Sequence, residues 1–351
     1  MALIQAASGG AYALSLAVVV AAVYLTVVRF MDLNEKEPLW AVALVFFSGF
    51  VAAAILPLLT GSAVLTLSVL WGPVAASLAK FAAFALSLAA LAAVARARGW
   101  SEINGLMDGV VYGTAVGFGF ATGEAFIREL FPGGAFVGAI GAGPLAVLWT
   151  TALAGLSDGL FGAIIGAGFG AAVGARSTVQ RVAYPVAGLV GAILAHMAYA
   201  ILAQGNALGG TSALVRAWIA LFIPLLFVAA VVILALLRER RAITEELADE
   251  SETGAVSRED LTTLRSFLTR RSRYAGAFIR GDFDGWLAMR ELHNRQVQLA
   301  LAKRRAAREP DPERRAEIET EVRRLRASIL ETKHEMQGPQ SVGPDAGKAG
   351  A

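Results

Sequence analysis

The chain has 351 residues, of which 56% are hydrophobic, with a mean hydropathy of +0.59 and 31 Lys and Arg against 28 Asp and Glu. Several apolar runs exceed about 18 residues, which marks a polytopic membrane protein and excludes a single water-soluble domain. The absence of cysteine excludes a disulfide framework, a thiolate zinc site and a cysteine nucleophile, and the net charge of +3 gives no reason to expect a nucleic-acid partner.

The apolar runs predict about seven membrane helices, at 11–28, 39–60, 73–96, 106–130, 146–174, 182–204 and 214–237. The opening residues MALIQAASGG lack the positive region of a cleaved leader, so the first run reads as a retained helix. Gly72-Pro73 interrupts an apolar run too long for one crossing. Residues 63–71 are therefore expected to form a short interfacial or re-entrant piece, and Pro73, Pro144 and Pro185 to stand at helix starts. Basic residues fall on one side of this arrangement: Arg29 and Lys36, Arg96 and Arg98, Arg176 and Arg181, then Arg238, Arg240 and Arg241. That bias puts the N-terminus outside and the C-terminus in the cytoplasm. With such compact loops, a bacterial plasma membrane is the expected location.

The fourth run, GLMDGVVYGTAVGFGFATGEAFIREL, organises the rest. Gly109, Gly113 and Gly117 recur every four residues on one helical face and allow a neighbouring backbone to come close. Gly162, Gly166, Gly170 and Gly174 form a second ridge in the fifth run. Tight helix packing is the first expectation for both, and a cavity between them that admits a partner backbone is the second.

After Arg241 the composition becomes polar and charged. The expected organisation is a membrane domain over 1–238, a linker over 239–258, a small cytoplasmic helical bundle over 259–336 and a disordered tail over 337–351. Asp284 is the expected cap of its second helix. The bundle is a candidate for homo-oligomerisation or for docking a regulator.

Ionisable residues within membrane runs are functional candidates by default. Lys80, Glu124 and His196 come from three runs and share a depth of roughly 9–12 Å below the outer edge, with Asp158 deeper and Asp108 near the cytoplasmic end. Such a set could hold and activate a water, with a carboxylate as base and imidazole as proton partner or metal ligand. Equally, Lys80 and Glu124 could be an ion pair stapling two helices, with His196 a core histidine.

Three segments, MDLNEKEPLW (Asp32, Glu35, Glu37, Pro38), MDGVVYGTAVGFGFATGEA and LAHMAYA, resemble in their order the boxes of the PrsW family of intramembrane proteases. That family is related to the CAAX-type prenyl-protein endopeptidases. The resemblance covers about 29–205. It implies an all-α polytopic fold and peptidase activity on a transmembrane substrate, and it carries over Glu124, His196, Lys80 and the Asp108 box, with Asp158 a candidate catalytic position only as a substitute beside Glu124 and His196. It also shows departures. Where the family carries Glu-Glu-x-x-Lys, this chain has Ala76 and Ser77 before Lys80. Asp158 stands at the place of a histidine, and Ala125 and Ala200 at places of asparagines.

A degenerate protease that binds or regulates a transmembrane client is therefore the leading expectation. An active peptidase with a rewired Glu124, His196 and Asp158 site, holding a divalent metal if active, is the alternative. A transporter or proton-coupled channel ranks third, as no inverted repeat is evident. The expected partners are the lipid bilayer and a transmembrane client or substrate.

Overall fold

The computed structural model describes residues 11, 14–15, 18–27, 37–60, 71–98, 105–130, 144–175, 177–204, 213–309 and 311–337. All regular structure among them is helical, and the chain divides into two units, Met1–Leu236 and Leu237–Ala351. The expected re-entrant piece and tail fall almost wholly outside these residues.

In the first unit six helices are long and apolar enough to cross a membrane: α2 (Leu39–Thr60), α3 (Trp71–Arg98), α4 (Leu106–Leu130), α5 (Pro144–Val173), α6 (Thr178–Gln204) and α7 (Ala213–Glu246). Of the first predicted run, the described apolar helix is α1 (Val18–Val27). Pro73 lies in the first turn of α3 and Pro144 opens α5, where a missing N–H costs nothing. Pro185 departs from expectation: it lies inside α6, not at its start. Backbone groups freed by a proline inside a membrane helix can be served by neighbouring elements. Here Gly168 of α5 presents no side chain to Tyr184 and Pro185, and the two backbones touch.

α4 is the centre of the unit, buried along most of its length while α6 is mostly exposed. The reason lies in its glycines, which serve two faces. On one, Gly113 meets the backbone of Gly162 and Gly166, with Gly109 and Gly117 making the same contact one turn to either side. On the other, Gly119 meets the backbone of Phe46 and Gly123 that of Phe50. The ridges are thus consumed by packing of α4 between α2 and α5. The expected cavity between them for a partner backbone is not formed there, because the two glycine rows interlock directly. Tyr112, Val116, Phe161, Ile164 and Leu221 fill the adjoining core.

The second unit begins within the last turns of α7 and continues through α8 (Glu250–Thr253), α9 (Arg258–Arg265), α10 (Phe267–Ile279), α11 (Phe283–Arg308) and α12 (Pro312–Gln337). Residues 239–258 are not a free linker. Ile243, Leu247, Ala255 and Val256 are buried with Leu264, Val297, Ala300 and Ile329 in one core, so their apolar side chains outweigh the polar composition around them. Glu250 is buried as well. Burial alone would raise its carboxyl, but hydrogen bonds from Arg326, Lys303 and Thr253 outweigh that and hold it at about 2. α11 and α12 run antiparallel, tied by Arg305 to Glu321 at 3.0 Å and by Arg295 to Thr332 at 2.7 Å.

A capping box starts α9, with Ser257 and Asp260 each serving the other's backbone N–H. Asp282, not Asp284, caps α11: its Oδ1 accepts from the Gly285 N–H at 2.9 Å, and Asp284 lies in the first turn. Gly281, at φ 73°, turns the chain back just before that cap and so moves the helix start forward.

Candidate functional site

Two groups of polar residues buried in the first unit hold its candidate chemistry. One is built from α3, α5 and α6 around α4. Ser77 and Lys80 lie three residues apart on α3, hence on one face, and both are fully buried. Lys80 Nζ lies 2.6 Å from Asp158 Oδ1 on α5, and the Phe120 ring of α4 lies 4.1 Å from the same nitrogen. Gly117 and Asp158 meet backbone to backbone, which fixes the level of Asp158 one turn from Phe120. The lysine stem follows the apolar wall and delivers its ammonium there.

Lys80 therefore pairs with Asp158 and not with Glu124. The structural staple joins α3 to α5, because the lysine side chain spans the depth difference that backbone counting puts between them. At 2.6 Å the buried ammonium and carboxylate form a close, charge-assisted contact. His196 stacks on Phe161, ring centroids 4.5 Å apart and planes 21° from parallel. Its Nδ1 is buried and has no hydrogen-bond partner among the described residues. The residue as a whole is partly exposed, whereas Ser77 and Lys80 are sealed.

Ser77 Oγ is unserved too. That sets it apart from Ser87, Thr114, Thr122 and Ser157, the other buried serine and threonine hydroxyls described in this unit, each of which donates to a backbone carbonyl of its own helix at 2.7–2.9 Å. Glu124 lies one turn beyond Phe120 on α4, partly exposed.

The second place was only partly legible. Tyr112 donates to Glu37 Oε2, and both side chains are buried. Asp108, one turn earlier on α4, is buried as well. The sequence marks Glu37 as part of an acidic box and Tyr112 as part of the α4 segment, but nothing in the spacing joins them.

The profile of the PrsW family of intramembrane metalloproteases matches residues 37–237. The chain belongs to the PrsW family. No curated protein and no solved structure matches it otherwise. A PrsW protein carries a metal as a family trait, so the donors present decide whether one fits here. Ala76 offers none and Asp158 is committed to Lys80. Among the described residues no three His, Asp or Glu side chains gather closely enough to hold a metal ion, so Glu124, Asp158 and His196 are not brought together as a metal-binding set. Among the described residues the site shows no assembled set of metal ligands.

Proposed function

We propose that this PrsW protein receives a transmembrane segment of a client protein without carrying out the family's metal-dependent cleavage. The observation that carries this reading is the Lys80–Asp158 pair, with Ala76 and Ser77 beside it. A metalloprotease needs a bound metal to activate water and a base to take its proton. Here one candidate carboxylate is neutralised by an ammonium, and alanine accepts no proton. His196 is a lone imidazole. What persists is the membrane scaffold of a family whose members act within the bilayer, supported by the interlocked α4 and α5.

The basic clusters after the first, third, fifth and seventh runs favour an outside N-terminus and a cytoplasmic C-terminal unit, in a bacterial plasma membrane. The test is affinity isolation of the tagged chain from native membranes after crosslinking. The reading expects an intact single-span or multi-span protein enriched over a tag-only control. Recovery of no membrane protein, or of client fragments cut within a span, would count against it.

A further inference from the structure

The most exposed apolar side chains described in the second unit sit together at one end of it. Gly281, at φ 73°, and the Asp282 cap turn α10 back into α11. That turn brings the Phe278 ring against Phe283 and Trp286, with centroids 5.4 and 6.1 Å apart. Around this contact Phe278 is 55% exposed, Phe283 54%, Leu287 53% and Ile279 82%. None of these four belongs to the core that holds Leu264, Val297 and Ile329. With aromatic side chains of about 150–250 Å² apiece, they offer a patch on the order of 400–500 Å², a size at which exposed apolar surface is often functional.

The charges at this tip identify the partner. Arg280 and Asp284 are exposed, and neither forms an ion pair among the described residues. Arg290 lies over the Trp286 ring at 5.5 Å and Asp282 caps α11, so the tip holds both signs in balance. Such a surface is self-complementary: a two-fold axis sets Arg280 of each copy against Asp284 of the other. Its two carboxylates speak against an anionic lipid surface. So does its position on α11. Arg304, roughly 32 Å along that helix, donates to the Arg238 carbonyl at 3.4 Å, just past the apolar run of α7. The tip is thus the end of α11 away from the membrane helix. Two such patches together fall short of the ~1,600 Å² of a standard stable interface, so the pairing is weak in free solution. Copies anchored by α7 in one membrane meet at a higher effective concentration, which favours it there.

We propose that the α10–α11 tip pairs two copies of this chain: Phe278, Ile279, Phe283 and Leu287 pack against their own counterparts, and Arg280 of each copy faces Asp284 of the other. The inference is independent of the client-receptor reading.

The experiment reconstitutes the full chain in liposomes and follows energy transfer between donor- and acceptor-labelled copies as lipid is added. The chain has no cysteine, so Ser272→Cys supplies one labelling site on the exposed side of α10. Wild-type transfer should exceed that of a random mixture at equal surface density. Ile279→Asn with Leu287→Gln, both at exposed positions, should weaken pairing about tenfold or more. Arg280→Asp or Asp284→Arg alone sets like charges face to face at both ends of the contact and should weaken it about 5- to 30-fold. The two reversals together should restore it. Melting curves verify that each variant is folded. Transfer no greater than the random mixture would overturn the inference. So would transfer that persists in the Ile279→Asn, Leu287→Gln variant, or a double reversal no better than the single ones. Quenching of the wild-type dye by spin-labelled lipid headgroups would make the bilayer the occupant and overturn it as well.

Discussion

Replacing Lys80 and Asp158 singly and together tests whether the two charges belong to each other. At 2.6 Å and an effective dielectric near 20 their attraction is ~6 kcal/mol, set against a desolvation cost of several kcal/mol for each ion. The pair as a whole is thus close to neutral for stability, but each half alone is not. Lys80→Met leaves a carboxylate buried beside Phe120, and Asp158→Leu leaves an ammonium there. Each should cost about 3–5 kcal/mol, whereas the double replacement puts two apolar side chains of similar size in contact and should lie within about 1 kcal/mol of the wild type. For a unit of this size, 1 kcal/mol corresponds to roughly 2–4 °C in Tm, so each single variant should melt about 6–20 °C lower and the double variant close to the wild type. Fluorescence-detected thermal melting in detergent reads this out. A double variant that loses the sum of the two single losses would refute the pairing, and with it the reason given for Asp158 being unavailable as a metal ligand.

Two further outcomes follow from the packing and from titration. Gly113→Ala pushes a methyl into the backbone of Gly162 and Gly166; it should destabilise the first unit by at least about 1–3 kcal/mol, while Gly174→Ala, whose added carbon meets only its own helix, should be nearly silent in the same melt. In the second unit, burial depresses His293 from 6.5 to about 4, with Arg270 and Arg273 adding to the effect against the opposing pull of Asp260. The folded form therefore holds this imidazole neutral, and the unfolded chain takes up the proton first. Stability should fall as pH drops from about 6.5 to 4 by roughly 3 kcal/mol, at 1.36 kcal/mol per pKa unit, and hydrogen exchange of α10 and α11 should follow it. His293→Gln should flatten that pH dependence; an unchanged profile would show that another group titrates.

The fold was readable where one signal dominated. Long apolar runs placed five of the six long membrane helices within a few residues of their observed ends, since hydrocarbon leaves the backbone no alternative to helix, whereas α7 runs on to Glu246, nine residues past the predicted end of its apolar run. The paired glycine ridges were visible as periods of four, and their interlocking is what that period permits. Pro185 misled because a proline is as compatible with a membrane helix interior, facing a glycine, as with a helix start. Residues 239–258 misled because four apolar side chains at the right places outweigh many charged neighbours. In the candidate site the residues could be named but not paired. Depth along a helix says nothing of how far a lysine stem reaches, so Asp158 was placed too deep for Lys80. Ser77 was legible only as a missing carboxylate; its unserved hydroxyl is a property of packing and leaves no mark in sequence spacing.

The most direct test of the central claim is cleavage of a panel of single-span membrane substrates by the purified chain, with added divalent metal and with chelator, beside the variant Ala76→Glu, Ser77→Glu, Asp158→His. The account predicts no cleavage by the wild type under either condition and chelator-sensitive cleavage by the restored variant. Cleavage by the wild type that chelator abolishes, and that is lost in Glu124→Ala or His196→Ala, would contradict it.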